Sequence, residues 1–168
     1  MKKGVCILLF IMGLGMLSTN AQTSKIFEVH PESHQYTTTK MVEIAKKFIG
    51  TPYRSGGKSK SGFDCSGFIY YLFKQFDYTI APASRELIKW GVPVSQDSVQ
   101  VGDWAFFKGR SNNSVGHIAL VINVNNNAWD IIHATIHGGV KIDYNFMNLP
   151  YYKSRFLAFR RPFVFCED

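Results

Sequence analysis

The spacing of apolar residues changes midway along this chain, and that change restricts the fold more than any single motif does. Met41, Ile44, Ala45 and Phe48 in "TTKMVEIAKKFIG" recur at helical spacing, and Gly50 follows as a stop. Phe68, Ile69, Leu72, Phe73 and Phe76 repeat the pattern behind Cys65. Helices are predicted over residues 38–49 and 65–76, with a short third one in "SRELIKWG". From "WAFFK" onward the signal is that of strands. "HIALVINV" and "WDIIHAT" flank an asparagine-rich turn, and "GVKID" and "FLAFRRPF" follow. Helices first and strands after predict an α+β domain with N-terminal helices packed on an antiparallel sheet. A length of 168 residues fits one domain, and 46% hydrophobic residues are enough for a real core.

The first residues stand apart from this pattern. Lys2 and Lys3 precede an apolar run, Gly4 to Leu17, and then "STNAQ". This is the layout of a cleavable signal peptide over residues 1–21, with cleavage after Ala21. The run of 14 residues is short of the roughly 20 needed to span a bilayer, so no stable membrane anchor is expected. Cys6 lies too early to be lipidated at the cleavage point, so the expectation is a secreted or periplasmic protein and not a lipoprotein. Residues 22–37 read as a polar lead-in and 38–168 as the domain. In the lead-in, His30 and His34 are four apart, but Pro31 argues against a helix joining them as a metal pair. Without residues 1–21 the net charge falls from +7 to +5, a moderate basic surplus able to favour anionic envelope polymers. No run of Lys and Arg points to nucleic acid.

Cys65, in "SGFDCSGFIYYLF", stands between an aspartate and a Ser-Gly step where a helix begins. A sulfur there meets the positive end of the helix dipole and free backbone N–H groups, both of which favour thiolate. The same N–H groups suit an oxyanion, and the glycine-rich loop before Cys65, with Gly67 after it, would let a substrate backbone come close. Folding the chain at "NVNNN", centred on residue 125, brings His117 and His133 opposite or diagonal to each other on one sheet face. A cysteine on a helix packed against that face completes a set for nucleophilic catalysis. Zinc bound by Cys65, His117 and His133 is the competing reading, without an evident fourth ligand. His137 shares the parity but falls in a turn beyond the strand. A Cys65–Cys166 disulfide is the structural alternative, set against the poor order expected two residues from the C-terminus.

The ordered pieces "GTPYRSGG", "FDCSGF", "VGDWAFFK", "VGHIALVI" and "IIHAT" followed by "GGV" resemble the NlpC-type, papain-like cell-wall cysteine peptidases, from Met41 to Phe163. The resemblance implies a papain-like α+β fold, no metal and no cofactor. It implies Cys65 as nucleophile, His117 as base and His133 as the orienting third residue. It implies that the Tyr53 hydroxyl helps bind the oxyanion, that Asp64 and Ser66 hold the free amino end of the substrate, and that Ser84 and Arg85 line the groove. Asp103 matches a structural turn. The implied substrate is peptidoglycan or its released peptides, cut at γ-D-glutamyl to diamino-acid bonds by a monomer. An amidase on the same fold and a non-catalytic wall-binding module are the alternatives, the second opposed by the intact Cys-His-His set.

Overall fold

The computed structural model describes residues 25–29, 31–109, 114–126 and 128–165. In chain order the elements are β1 (Phe27–Val29), α1 (Pro31–Lys46), β2 (Lys58–Ser59), β3 (Gly62–Phe63), α2 (Cys65–Lys74), α3 (Ser84–Leu87) and β4 (Val92–Val94). β5 (Trp104–Lys108), β6 (Val115–Asn125), β7 (Ala128–Thr135), β8 (Gly139–Asp143), α4 (Pro150–Lys153), β9 (Phe156–Arg161) and β10 (Phe163–Phe165) complete the chain. Six strands form one antiparallel sheet in the order β4-β9-β5-β6-β7-β8. The α+β architecture is the expected one.

Residues 22–37 are not a loose lead-in throughout. α1 begins at Pro31, because proline at the first helical position loses only an N–H that has no intrahelical partner. Pro31 therefore opens the helix instead of barring it, and His30 lies outside the described residues. β1 pairs in parallel with β10, and the Phe27 ring packs among Phe73, Tyr78, Trp90 and Phe163. Those apolar contacts tie the segment before α1 to the end of the sheet.

The sheet carries a core on each face. Trp104, Phe106, Ile118, Leu120, Ile132 and Ala134 point toward α1 and α2, whose Met41, Ala45, Phe68, Ile69, Leu72 and Phe73 meet them fully buried. Phe107, Ala119, Val121 and Ile131, at the alternate positions, meet Phe146 and Tyr152 from the segment after β8. At the start of β5, Asp103 is 1% exposed and takes both ends of the Arg161 guanidinium, Nε at 2.8 Å and a terminal nitrogen at 2.9 Å. Its backbone-side partner is the Gln100 N–H at 2.8 Å. The implied structural role of Asp103 is thus a buried, bidentate tie between β5 and β9.

Candidate active site

Asp64 caps α2. Its Oδ1 accepts the Gly67 N–H at 2.6 Å and the Ser66 hydroxyl at 3.1 Å, and its Oδ2 accepts the Gly56 N–H at 2.9 Å. The cap fixes the helix start and therefore places Cys65 at its first position. Gly67 serves packing and not substrate access: a Cβ there would collide with the Gly57 carbonyl, which is pressed against the first turn of α2. The glycine loop thus abuts α2, and its own backbone occupies the space expected for a ligand.

The Cys65 sulfur is half-buried and lies 4.0 Å from the carbonyl oxygen of Gly116, the residue before His117. Burial, with Asp64 adjacent, pushes its thiol up to about 11. The N–H groups of Ile118, Ser66 and Cys65 itself pull the other way but do not prevail. The expected thiolate preference of a helix start is therefore overridden by desolvation in the resting site. Among the described residues Cys65 has no disulfide partner, and Cys166 lies outside them.

His117 and His133 meet: the Nε2 of His117 lies 2.7 Å from the Nδ1 of His133. The hairpin that joins them differs from the expected one. Its two strands close by pairing Asn125 with Ala128, and with that register alone the two imidazoles would point to opposite faces. A bulge between Val121 and Asn123 shifts the pairing by one, to Leu120 with Ile132, and restores the shared face. Even spacing led to the right conclusion because the displaced turn and the bulge each reverse the parity, and the two reversals cancel.

The shared face is also not the one α2 packs on. Ile118 and Ala134 face α2, so the two histidines lie on the Phe107 and Tyr152 side, His117 with its ring tilted against Phe107 and His133 edge-on to Tyr152. Cys65 approaches the histidine strand at Gly116, which touches Gly109 closely enough to exclude a Cβ. Cys65 and His117 open onto one cavity of about 600 Å³, which Tyr53, His137, Lys141, Tyr151, Tyr152 and Arg155 also line. His137 is exposed in the β7–β8 turn, as its position predicted. Asp64, Ser66, Ser84 and Arg85 are not among the residues that line this cavity. Ser66 also donates to the Pro82 carbonyl at 3.1 Å, Ser84 is buried at the start of α3, and Arg85 Nε donates to the Val115 carbonyl at 3.3 Å.

Asp143, Lys141 and Tyr152 are absent from the sequence reading. His133 is fully buried, and its Nε2 lies 2.8 Å from Asp143 Oδ2 and 3.4 Å from the Tyr152 hydroxyl. Lys141 Nζ holds the other oxygen of Asp143 at 2.7 Å. β8 sets Lys141 directly opposite His133, with Asp143 two residues on and so on the same face. The parity argument carried one strand further, across the turn residues 136–138, would have reached both. Burial alone would raise the Asp143 carboxyl, but donation from His133, Lys141 and Tyr152 outweighs it and holds it below the usual range. Burial, and then His133, lowers His117 well below an ordinary histidine, and burial lowers His133 despite Asp143. Both imidazoles are neutral at pH 7. Their facing nitrogens are spent on each other and on Asp143, an arrangement that does not converge on a metal ion.

A sequence profile of the NlpC/P60 family matches residues 50–161. The chain belongs to the NlpC/P60 family. It is 35% identical over 123 residues to the probable peptidoglycan endopeptidase LytE of Bacillus subtilis, covering 73% of this chain and 34% of that relative. It is 37% identical over 87 residues to a γ-D-glutamyl-L-lysine dipeptidyl-peptidase of Bacillus cereus, covering 51% of this chain and 26% of that one. The crystal structure of an NlpC/P60 family protein from Bacillus cereus superposes with a TM-score of 0.66 at 31% identity, over 74% of this chain and 40% of that chain. The chain thus spans well under half the length of each of these three proteins.

Proposed function

We propose that this chain is a secreted cysteine endopeptidase that hydrolyses peptidoglycan stem peptides at the γ-D-glutamyl to diamino-acid bond. The observation that carries the reading is the site itself: a helix-start thiol and a neutral imidazole open on one cavity, with a second imidazole bonded behind the first. The names borne by the Bacillus relatives supply the substrate class and support the bond.

In this reading the Cys65 thiol gives its proton to His117 as the sulfur attacks the scissile carbonyl carbon. The oxyanion takes hydrogen bonds from N–H at the head of α2 and from the Tyr53 hydroxyl, which burial and then Cys65 and Asp64 keep protonated. His117 passes the proton to the leaving amine, and a thioester remains on Cys65. Water, deprotonated by His117, attacks the thioester and releases the glutamyl carboxylate and the thiol. His133 orients His117 throughout. Asp64 keeps unused lone-pair capacity on Oδ2 for the substrate ammonium, while Ser66, through Asp64 and the Pro82 carbonyl, and Arg85, through the Val115 carbonyl, brace the segments around Cys65.

Digestion of purified wall fragments, read by mass spectrometry, tests this. The expected product carries a new amine on the diamino acid, and Cys65→Ala gives none. A free lactyl carboxylate would mark an amidase instead, and cleavage undiminished in Cys65→Ala would overturn the mechanism. Secretion is tested by N-terminal sequencing of exported protein, which is expected to begin at Gln22.

A further inference from the structure

We propose that Asp143 is the positioning residue that sets which nitrogen of His117 carries the proton, and so leaves Nδ1 bare to accept the proton of Cys65. The inference rests on the cysteine-peptidase reading above and deepens it by one residue.

The warrant is a count of protons along the row of side chains. A carboxylate only accepts hydrogen bonds. Asp143 Oδ1 receives Lys141 at 2.7 Å, and its Oδ2 lies 2.8 Å from His133 Nε2. The Tyr152 hydroxyl also donates to this carboxylate. His133 Nε2 must therefore carry a proton. A neutral imidazole holds one, so His133 Nδ1 is bare and can only accept. The 2.7 Å contact between His133 Nδ1 and His117 Nε2 needs one proton between them, and it must come from His117. His117 Nδ1 is then the bare nitrogen, and it is left to take the thiol proton. Each link forces the next, and the direction of the row is chosen at Asp143.

The surroundings hold this arrangement. His133 is fully buried and Asp143 is 7% exposed, so water does not compete for these bonds. The β7–β8 register sets His133 opposite Lys141 and fixes the geometry from the backbone. Tyr152 closes the other side, with its ring edge-on to His133. With an amide in place of the carboxylate, the side chain can also donate to His133 Nε2. The row then reverses, and His117 presents Nδ1–H, which cannot accept a proton from Cys65.

The test needs two readouts. In protein labelled with ¹⁵N at histidine, long-range ¹H–¹⁵N correlation spectra report which nitrogen is protonated. Wild type is expected to show Nε2–H on both His117 and His133. Nδ1–H on either would overturn the inference, whatever substrate the enzyme takes and whether or not any variant folds. In Asp143→Asn, checked for folding by thermal melting, kcat on a γ-D-glutamyl-diamino-acid peptide is expected to fall on the order of 10- to 100-fold, with KM changed by less than about threefold. The spectra should show part of the population reversed, and Asp143→Glu should recover part of the turnover. Turnover within threefold of wild type, with unchanged tautomers, would overturn the role of Asp143. Activity surviving in Cys65→Ala would instead refute the underlying peptidase reading and leave the tautomer measurement standing by itself.

Discussion

At the residue scale, Cys65 occupies the first position of α2, yet desolvation pushes its thiol up to about 11. The resting site is thus a neutral thiol beside neutral imidazoles, and in the proposed mechanism the thiolate forms only as proton transfer to His117 begins. Alkylation of Cys65 by iodoacetamide in the free enzyme should accelerate steadily as pH rises from 6 toward 10. A rate already at its plateau near pH 6 would show a preformed thiolate and contradict this account. Cys65, His117 and His133 were legible in the sequence because each is a rare chemical type in an informative place: a helix start, and two positions an even number of steps apart. Asp143 was not, since a carboxylate near a strand end is common and its partner is known only once the β7–β8 register is fixed. The charge state of Cys65 was illegible for another reason. Dipole and burial act in opposite directions, and only the fold gives the burial.

At the scale of elements, the strongly periodic pieces were legible. "WAFFK" is β5 residue for residue, and "GVKID" is β8. The elements that escaped notice are those held by context. β1, β2, β3 and β4 have two or three residues each, and their pairing partners, not their own apolar pattern, define them. The bulge in β6 likewise left no mark on the sequence, although it decides which face the imidazoles share. The junction of the glycine loop with α2 gives a direct test. Gly67→Ala places a methyl against the Gly57 carbonyl, and backbone cannot yield as a side-chain tip can. The variant should lose about 1–3 kcal/mol in urea unfolding and lose turnover as Cys65 shifts. Unchanged stability and unchanged turnover would show that the loop does not brace the helix start.

For the whole molecule, two cores on opposite faces of one sheet are joined where Cys65 approaches the histidine strand at Gly116. Stability and the site are therefore linked by pH. His117 and His133 have folded values below the ordinary 6.5, so below that pH the unfolded chain binds more protons than the native one. Their contribution is full above about pH 6.5 and is lost as pH falls, and the lowered Asp143 adds a loss of the same sign below its ordinary 3.8. Tm should drop between pH 7 and pH 5. A flat or rising Tm over that window would contradict neutral imidazoles in the native protein.

The central claim, that bond cleavage passes through a covalent intermediate on Cys65, is open to one direct measurement. Wild-type enzyme is mixed with a γ-D-glutamyl-diamino-acid peptide, quenched in acid within milliseconds, and analysed by intact-protein and peptide mass spectrometry. The account predicts a transient added mass equal to the glutamyl portion less one water, carried by the peptide containing Cys65 and decaying as product accumulates. Product accumulating with no adduct on Cys65, and at the same rate in Cys65→Ala, would contradict it.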